Sequence, residues 1–497
     1  MLAAYSFDFE TPAFTSSRPS RISWSESLFQ PRSVMIDFHY ASILEVSNAI
    51  KARKISAVEL TRAMLDRIVK LDPQLRSFAT LTPDLALAQA YRVDKELSQG
   101  EDRGPLHGVP IAVKDICYTA GVITAAGTTV LADHVPEFNS TVVDRLTNAG
   151  AVLLGKLQLT EGAFVTHHPA VTPPRNPWNA LYYPGASSSG SGVATASGLC
   201  FGSIGSDTGG SIRFPSSANG VTGLKPTWGR VSRYGIFALA DSLDHIGPLT
   251  RSAADAGAML GAIAGLDPHD PTTLAAPVPD YIAGLTEGVK GMRIGVDASY
   301  NEDGADPEIV AMMRAARAVF EKLGAVVREM TMPNPDAVIA AWAPYCAVET
   351  AIAHNATYPA RASEYGPLKG HIDLGRSIGG IELMKGHQAR LAFSGALARL
   401  FCDADVLLIP TQPRANFTLA QEIELFKDPK GLASFLRFTT PFNMSGSPTI
   451  TLPGGFTKKG MPVAFQLVAR HLEEELLVRA GHTYQEATDW HRRHPTL

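Results

Sequence analysis

The chain has no strong bias of charge, no long apolar run and no cysteine pattern. Its 44 Lys and Arg residues against 48 Asp and Glu residues give a net charge of −4, and no basic run stands out, so a nucleic-acid partner is not expected. No apolar run reaches the roughly 20 residues that a membrane-spanning helix needs, so no membrane span is expected. The four cysteines are widely spaced without a CxxC or Cys/His pattern, which predicts reduced, mostly buried thiols and no zinc site.

The first 35 residues differ in composition from the rest, being rich in Ser, Phe, Pro and Arg. Asp8 and Glu10 interrupt the only apolar start and no basic segment precedes it, so the pattern of a signal peptide is missing. We therefore expect residues 1–35 to be a flexible N-terminal extension and the protein to be cytoplasmic. At 497 residues the chain is long enough for one large domain or two.

Helical and strand-like patterns alternate along the remaining chain. Apolar spacing predicts helices over residues 40–69, broken near residues 55–56, and over residues 83–97, 139–150, 307–323, 381–401 and 472–488. Short apolar runs predict strands at residues 109–113, 151–154, 221–224, 293–296, 325–327, 406–409, 449–452 and 464–468. This alternation is typical of an α/β fold with a mixed sheet covered by helices on both faces.

Two loops rich in Gly and Ser, residues 185–192 and 205–211, are the most informative part of the sequence. Glycines permit backbone conformations in which successive N–H groups turn toward one point, and such an arrangement suits an oxyanion beside a Ser hydroxyl. The candidate hydroxyls are those of Ser187 and Ser211. Taken alone, each serine is explained as well by an N-cap on the helix that follows.

Lys114 follows the apolar run of residues 109–113. A lysine in this position is either an edge residue whose amine reaches water or a buried amine with a lowered pKa. A serine nucleophile needs a base. The second alternative therefore makes Lys114 a candidate base that would reach Ser211 through Ser187.

Three segments together resemble the amidase signature family. They are GVPIAVKD, PGASSSGSG and SDTGGSIRFPSSANGVTGLKPTWGRVSRYG, and their order and spacing also agree with that family. The resemblance extends from the helices near Tyr40 to the closing helix. It implies that residues 36–497 form one α/β/α amidase-signature domain with a central mixed, twisted sheet covered by helices.

The same resemblance implies a catalytic triad without a metal or cofactor. Ser211 would be the nucleophile, Ser187 a bridging serine with a cis peptide bond, and Lys114 the general base. Asp207 and Arg213 would brace the loop, and the oxyanion-hole amides would come from Thr208, Gly209, Gly210 and Ser211. Ala186 stands where the family usually has Gly, which restricts the backbone beside Ser187.

Phe214, three residues after Ser211, is the best indication of substrate. In members of the resembled family that act on carboxylate or carboxamide side chains, a polar residue stands at this position. Here the residue is Phe, as in members that resemble aryl- and fatty-amide hydrolases. We therefore expect a small-molecule apolar or aryl amide, anilide or carbamate, cleaved through a seryl acyl-enzyme, with ester cleavage as a side activity. The expected substrate contacts are Phe214, Gly185, Ser188, Glu161, Gly162 and Ala163. Further candidates for the pocket wall are Thr160, Phe164, Phe138, Trp342, Tyr345 and Phe438, although core packing explains each of the aromatic ones equally well.

Two other functions remain open. The segment VSRYGIFALADSLDHIGPLTR also resembles the corresponding chain of glutamine-dependent amidotransferases, a chain that would need further protein partners, and Phe214 argues against this function. A non-catalytic scaffold would be expected to lack a triad member, and this chain has all three. A homodimer is compatible with the implied fold.

Two other patterns are weaker. Residues 375–379 match the nucleophile-elbow motif G-x-S-x-G, but no convincing buried strand precedes them, so we expect a loop there. His167 and His168 are adjacent and have no third partner nearby in sequence, so we expect them in a loop or pocket wall rather than at a metal.

Overall fold

The computed structural model describes residues 38–497, which form one sheet of eleven strands covered by helices. The predicted flexible extension, residues 1–35, lies outside the described residues. The strands, in chain order, are β1 (Phe78–Leu81), β2 (Pro110–Lys114), β3 (Val152–Leu157), β4 (Gly202–Asp207), β5 (Thr222–Lys225), β6 (His245–Thr250), β7 (Arg293–Val296), β8 (Val326–Glu329), β9 (Val406–Pro410), β10 (Thr449–Phe456) and β11 (Pro462–Ala469).

The sheet is mixed, as predicted, with the order β1-β3-β2-β4-β6-β5-β10-β11-β9-β7-β8. Strand β2 pairs in parallel with β3 and β4, and β4 pairs antiparallel with β6. Every residue of β2 and β4 is buried. The carboxyl ends of parallel strands meet at one edge of a sheet, so Lys114 at the end of β2 and Asp207 at the end of β4 belong to the same region.

Residues 38–497 also form sixteen α-helices. They are α1 (Ile43–Lys51), α2 (Ala57–Leu75), α3 (Pro83–Ser98), α4 (Thr141–Asn148), α5 (Ser189–Ala196), α6 (Arg213–Asn219), α7 (Ala253–Ile263), α8 (Ala298–Glu302), α9 (Pro307–Lys322), α10 (Asp336–Ala353), α11 (Leu368–Ser377), α12 (Gly380–Leu400), α13 (Leu419–Lys427), α14 (Pro429–Leu436), α15 (Thr440–Met444) and α16 (Glu474–Glu486). None of the helices in this part of the chain is long and apolar enough to cross a bilayer.

Local sequence accounts for several of these boundaries. Capping boxes, Ser42 with Glu45 and Ser56 with Glu59, begin α1 and α2, because each pair satisfies the N–H groups that a helix start leaves without intrahelical partners. The predicted break near residues 55–56 is therefore confirmed. The α/β fold with a mixed, helix-covered sheet is confirmed as well.

Three strands are missing from the sequence-based prediction, namely β1, β4 and β6. Strand β4 reads GSIGSD and has no strand-like pattern. The predicted loop over residues 205–211 therefore begins later than expected, at Thr208, because residues 205–207 belong to the strand. Glycine is needed inside it, because a Cβ at Gly205 would lie 2.7 Å from Leu249 Cδ1 and 2.9 Å from Ser188 Oγ. Strand β6 contains Pro248, which argues against a strand in sequence.

The predicted loop over residues 375–379 is wrong in part. Residues up to Ser377 belong to helix α11, and the structure places no strand directly before them within the described chain. The geometry of a nucleophile elbow, a strand followed by a sharp turn into a helix, is therefore absent at this place. The cysteines are free thiols; Cys117, Cys200 and Cys346 are buried and Cys402 is exposed.

Candidate active site

Lys114 is a fully buried amine at the carboxyl end of β2. Its Nζ lies 2.7 Å from Ser187 Oγ and 2.8 Å from Ser206 Oγ. Burial lowers the pKa of Lys114 to about 7, although the carboxylates of Asp244 and Asp207 oppose the shift. Near neutral pH a substantial fraction of this lysine is therefore an uncharged amine that can accept a proton.

The loop that carries Ser187 is fixed by close backbone contacts. A Cβ at Gly185, where φ is +88°, would lie 2.3 Å from Pro215 Cα, so only glycine fits there. The peptide bond between Ala186 and Ser187 is cis, at the place where the sequence resemblance implies one. The Ala186 N–H donates to Tyr183 Oη at 2.7 Å. These contacts hold Ser187 beside Lys114.

The loop that carries Ser211 is wrapped around the Asp207 carboxylate. That carboxylate accepts hydrogen bonds from the N–H groups of Gly210 and Ile212 at 2.8 and 3.0 Å. It also accepts two from the Arg213 guanidinium, at 2.9 and 3.0 Å. Burial alone would raise the pKa of Asp207, but the charge and hydrogen bonds of Arg213 hold it well below its usual range. Asp207 is therefore a permanent anion that organises the loop, in the bracing position expected for it.

The two loops touch each other at their backbones. The Ser188 N–H donates to the Ser211 carbonyl at 3.3 Å, and Ser188 Oγ donates to the Ser206 carbonyl at 3.2 Å. The structure therefore brings Lys114, Ser187 and Ser211, which are spread over 98 positions of the sequence (211 − 114 + 1), into one region.

The predicted set of oxyanion amides needs one correction. The Gly210 N–H is already engaged with Asp207, because the carboxylate lies inside the turn. Within residues 38–497 the N–H groups of Thr208, Gly209 and Ser211 have no hydrogen-bond acceptor. The side chain of Thr208 is used elsewhere, since its hydroxyl donates to Asp244 Oδ1 at 2.5 Å. Thr208, Gly209 and Ser211 are the three residues whose N–H groups remain suited to an oxyanion.

A small apolar cavity opens beside Ser211. Its lining residues are Ala163, Phe164, Val165, Tyr183, Ala186, Thr208, Gly209, Ser211, Phe214, Leu239, Trp342, Phe426, Leu432, Phe435 and Leu436. The Phe214 ring stacks on Phe435 with ring centroids 4.4 Å apart. The wall beside Ser211 thus offers hydrocarbon contact and few polar partners.

Several predicted substrate contacts lie elsewhere. The Glu161 carboxylate accepts from the N–H groups of Gly366 and Leu368 at 2.7 and 3.0 Å, so both oxygens are used in holding a loop. Gly162 packs on Leu368 and His354, Gly185 packs on Pro215, and Ser188 is fully buried behind the loops. These four, and Thr160, lie outside the cavity lining.

The aromatic candidates divide in the same way. Phe164 and Trp342 line the cavity. Phe138 is exposed and contacts Tyr118 and Tyr234. Tyr345 hydrogen-bonds with His387, and Phe438 packs on Tyr300.

The part of the wall that comes from α13 and α14 was not predicted from the sequence. Leu432, Phe435 and Leu436 have the spacing of any amphipathic helix, and nothing local distinguishes a cavity wall from a core contact. Phe435 packs against Phe214 and Phe426, and Leu432 and Leu436 line the same cavity.

The predicted histidines lie at the edge of this region. His167 Nε2 is 3.1 Å from Ser189 Oγ, and burial lowers the pKa of His167 to about 4, so it is neutral. The described part of the chain contains no group of three His, Cys, Asp or Glu side chains placed to hold a metal ion.

Comparison with known proteins gives one consistent family. The family model described as Amidase matches residues 59–478. The Mycobacterium tuberculosis protein named "Putative amidase AmiD" is 49% identical over 456 residues, which cover 92% of this chain and 96% of that protein. A glutamyl-tRNA(Gln) amidotransferase chain of a Geobacter species is 39% identical over 484 residues, covering 92% and 99%. The solved structure of the peptide amidase from Stenotrophomonas maltophilia superposes with a TM-score of 0.80 at 29% identity, covering 93% of this chain and 99% of that one.

Proposed function

From the premise that this chain belongs to the amidase family, we propose that it hydrolyses an apolar or aryl amide, anilide or carbamate with Ser211 as nucleophile. Membership makes it a hydrolase of carbon–nitrogen bonds. The substrate class and the roles of individual residues are the proposal.

The observation that carries the proposal is the position of the buried Lys114 amine, 2.7 Å from the Ser187 hydroxyl, in the same region as an apolar cavity lined by Ser211. A buried lysine beside a buried hydroxyl is costly for the fold unless the amine can be neutral. A neutral amine next to a hydroxyl is what a serine nucleophile requires as a base.

The proposed reaction has two steps. Ser211 Oγ attacks the amide carbonyl carbon, and its proton passes through Ser187 to Lys114, while the developing oxyanion accepts from the N–H groups that the loop leaves available, among them those of Gly209 and Ser211. The C–N bond then breaks, and the proton returns by the same route to the leaving nitrogen, which departs as an amine. Water attacks the seryl ester in the second step and releases the acid. Esters are cleaved as well, because their leaving oxygen needs less protonation.

The apolar wall supports the proposed substrate class. Phe214, Phe435 and Trp342 offer ring contact to an acyl or aryl group. A substrate carboxamide buried against them without a partner would cost about 1–3 kcal/mol. The glutamyl-tRNA(Gln) amidotransferase chain is a relative of this protein, and glutamine is the substrate that distinguishes the two functions.

The test is hydrolysis of an acyl-anilide, a short aliphatic amide, an aryl carbamate and L-glutamine by the full-length protein. We expect the anilide or carbamate to be cleaved with the highest kcat/KM. Hydrolysis of glutamine alone would instead favour the amidotransferase function, and cleavage of the short aliphatic amide alone would overturn the aryl preference.

Changing Phe214→Gln tests the wall directly. We expect kcat/KM for the anilide to fall about 5- to 150-fold, because an unpaired buried amide costs about 1–3 kcal/mol. The matched control is Phe456→Gln, since Phe456 packs on Trp178 and Trp490 away from the cavity. Equal losses in both variants would contradict a role for Phe214 in substrate selection.

The pH dependence tests the base. Burial lowers the pKa of Lys114 to about 7, and only the uncharged amine accepts a proton. We therefore expect kcat/KM to rise about tenfold per pH unit below pH 7 and to level off above it. Intrinsic fluorescence at each pH would show that the protein remains folded. Full activity at pH 5 would contradict a neutral-lysine base.

A further inference from the structure

We propose that Trp342 is a positioning residue, one that aims the backbone N–H of Gly209 at the carbonyl oxygen of the substrate. The inference rests on the proposed function, and assigns to one side chain of α10 a task in the reaction beyond lining the cavity.

The first observation is a hydrogen bond from Trp342 to the loop that carries Ser211. Trp342 Nε1 donates to the Thr208 carbonyl oxygen at 2.9 Å, and the indole is 5% exposed. In a planar trans peptide the carbonyl oxygen and the following N–H point in opposite directions. Fixing the Thr208 oxygen therefore fixes the direction of the Gly209 N–H.

The second observation is that the same ring lies against Gly209 itself. A Cβ at Gly209 would meet Trp342 Cζ2 at 2.7 Å and Cε2 at 3.0 Å. The indole is thus in close contact with the α-carbon of the residue whose N–H it orients. Rotation of this peptide unit would therefore break the hydrogen bond from Trp342 and would require the ring to move.

The next peptide unit is held by other residues. Thr439 Oγ1 donates to the Gly209 carbonyl at 2.6 Å, and the Gly210 N–H donates to Asp207 Oδ1 at 2.8 Å. Trp342 therefore acts on the single peptide between Thr208 and Gly209. The N–H of this peptide unit has no acceptor among residues 38–497, so it is available to a substrate oxygen.

The direction of the Gly209 N–H matters because electrostatic stabilisation of an oxyanion depends on the geometry of its donors. An oxyanion donor stabilises the transition state only when it is aimed before the charge develops, and loss of one donor typically lowers kcat by about 10²–10³-fold. A donor that is present but poorly aimed retains part of this effect. We therefore expect a loss of about 10- to 100-fold in kcat without the indole N–H.

The experiment compares Trp342→Phe with Trp178→Phe on the anilide substrate. Trp178 Nε1 also donates to a backbone carbonyl at 2.9 Å, that of Asn219 at the far end of α6, so the control removes the same kind of bond elsewhere. Trp342→Phe should lower kcat about 10- to 100-fold with KM changed less than about threefold. Affinity for a boronic acid that forms a tetrahedral adduct with Ser211 should fall by a similar factor. Trp178→Phe should match the wild type.

A second variant separates the hydrogen bond from ring size. Replacement of Trp342 by 3-benzothienylalanine keeps a bicyclic ring and removes only the donor, and we expect the same loss of kcat. A raised KM with unchanged kcat in both variants would overturn the inference and leave Trp342 as a wall residue only. If the wild type hydrolyses the anilide and both variants have the same kcat as the wild type, this inference is overturned and the proposed function stands. If the wild type does not hydrolyse the anilide, the proposed function and this inference are both overturned.

Discussion

Ser211→Ala is expected to lower kcat for the anilide by about 10⁴- to 10⁶-fold, because removal of a serine nucleophile leaves only the stabilisation supplied by binding and the oxyanion donors. The change deletes one oxygen. The backbone contact between the Ser188 N–H and the Ser211 carbonyl, 3.3 Å long, does not involve the side chain and should persist. KM is therefore expected to change far less than kcat.

The control for this prediction is Ser217→Ala in the same segment. Ser217 is buried in α6, and its Oγ has no hydrogen-bond partner in the described chain. We expect wild-type activity from it. Equal activity of Ser211→Ala and the wild type in steady-state assays with the anilide would contradict the assignment of the nucleophile.

Arg213→Met is expected to lower the free energy of unfolding by about 3–5 kcal/mol, as measured by urea denaturation. Arg213 is fully buried, and besides its bonds to Asp207 it donates to the Thr439 carbonyl at 2.9 Å and to Asn443 Oδ1 at 2.5 Å. Methionine leaves the Asp207 carboxylate buried without its main counter-charge. The loop should loosen as well, so activity should fall even in the folded fraction.

The matched variant on the surface is Arg317→Met. Arg317 pairs with Glu321 and Glu329 at 2.9 and 2.5 Å, but all three side chains are solvent-accessible. Exposed ion pairs contribute little, since water and salt screen them. A stability loss as large for Arg317→Met as for Arg213→Met would contradict the central role of the buried pair.

The parts of the site that local sequence determines were predictable. Lys114, Ser187 and Ser211 lie in short segments whose Gly, Ser and apolar residues carry a recognisable pattern, and the structure brings them together. The mixed α/β sheet followed from the alternation of helix and strand patterns. Strand β4 was not predicted because its residues, GSIGSD, are small and allow close packing between neighbouring elements, but have low strand propensity.

The remainder depends on contacts between distant parts of the chain. Phe435 becomes part of the cavity only by stacking on Phe214, a residue 221 positions earlier (435 − 214). The Gly210 N–H was expected to face substrate, and only the three-dimensional position of the Asp207 carboxylate shows that it is used within the loop. Trp342 was named as a candidate for the cavity wall and does line it, but its hydrogen bond to the Thr208 carbonyl has no local signal, because it joins residues 134 positions apart.

The dependence of the Asp207–Arg213 loop on Thr439 and Asn443 bears on how the protein is made. These partners lie 226 and 230 positions after Arg213, so the chain must leave the ribosome as far as Asn443 before the loop that carries Ser211 can form these hydrogen bonds. Strands β10 and β11, which lie between β5 and β9 in the sheet, follow later still. We therefore expect a nascent chain to show no hydrolysis until the residues through β11 have left the ribosome.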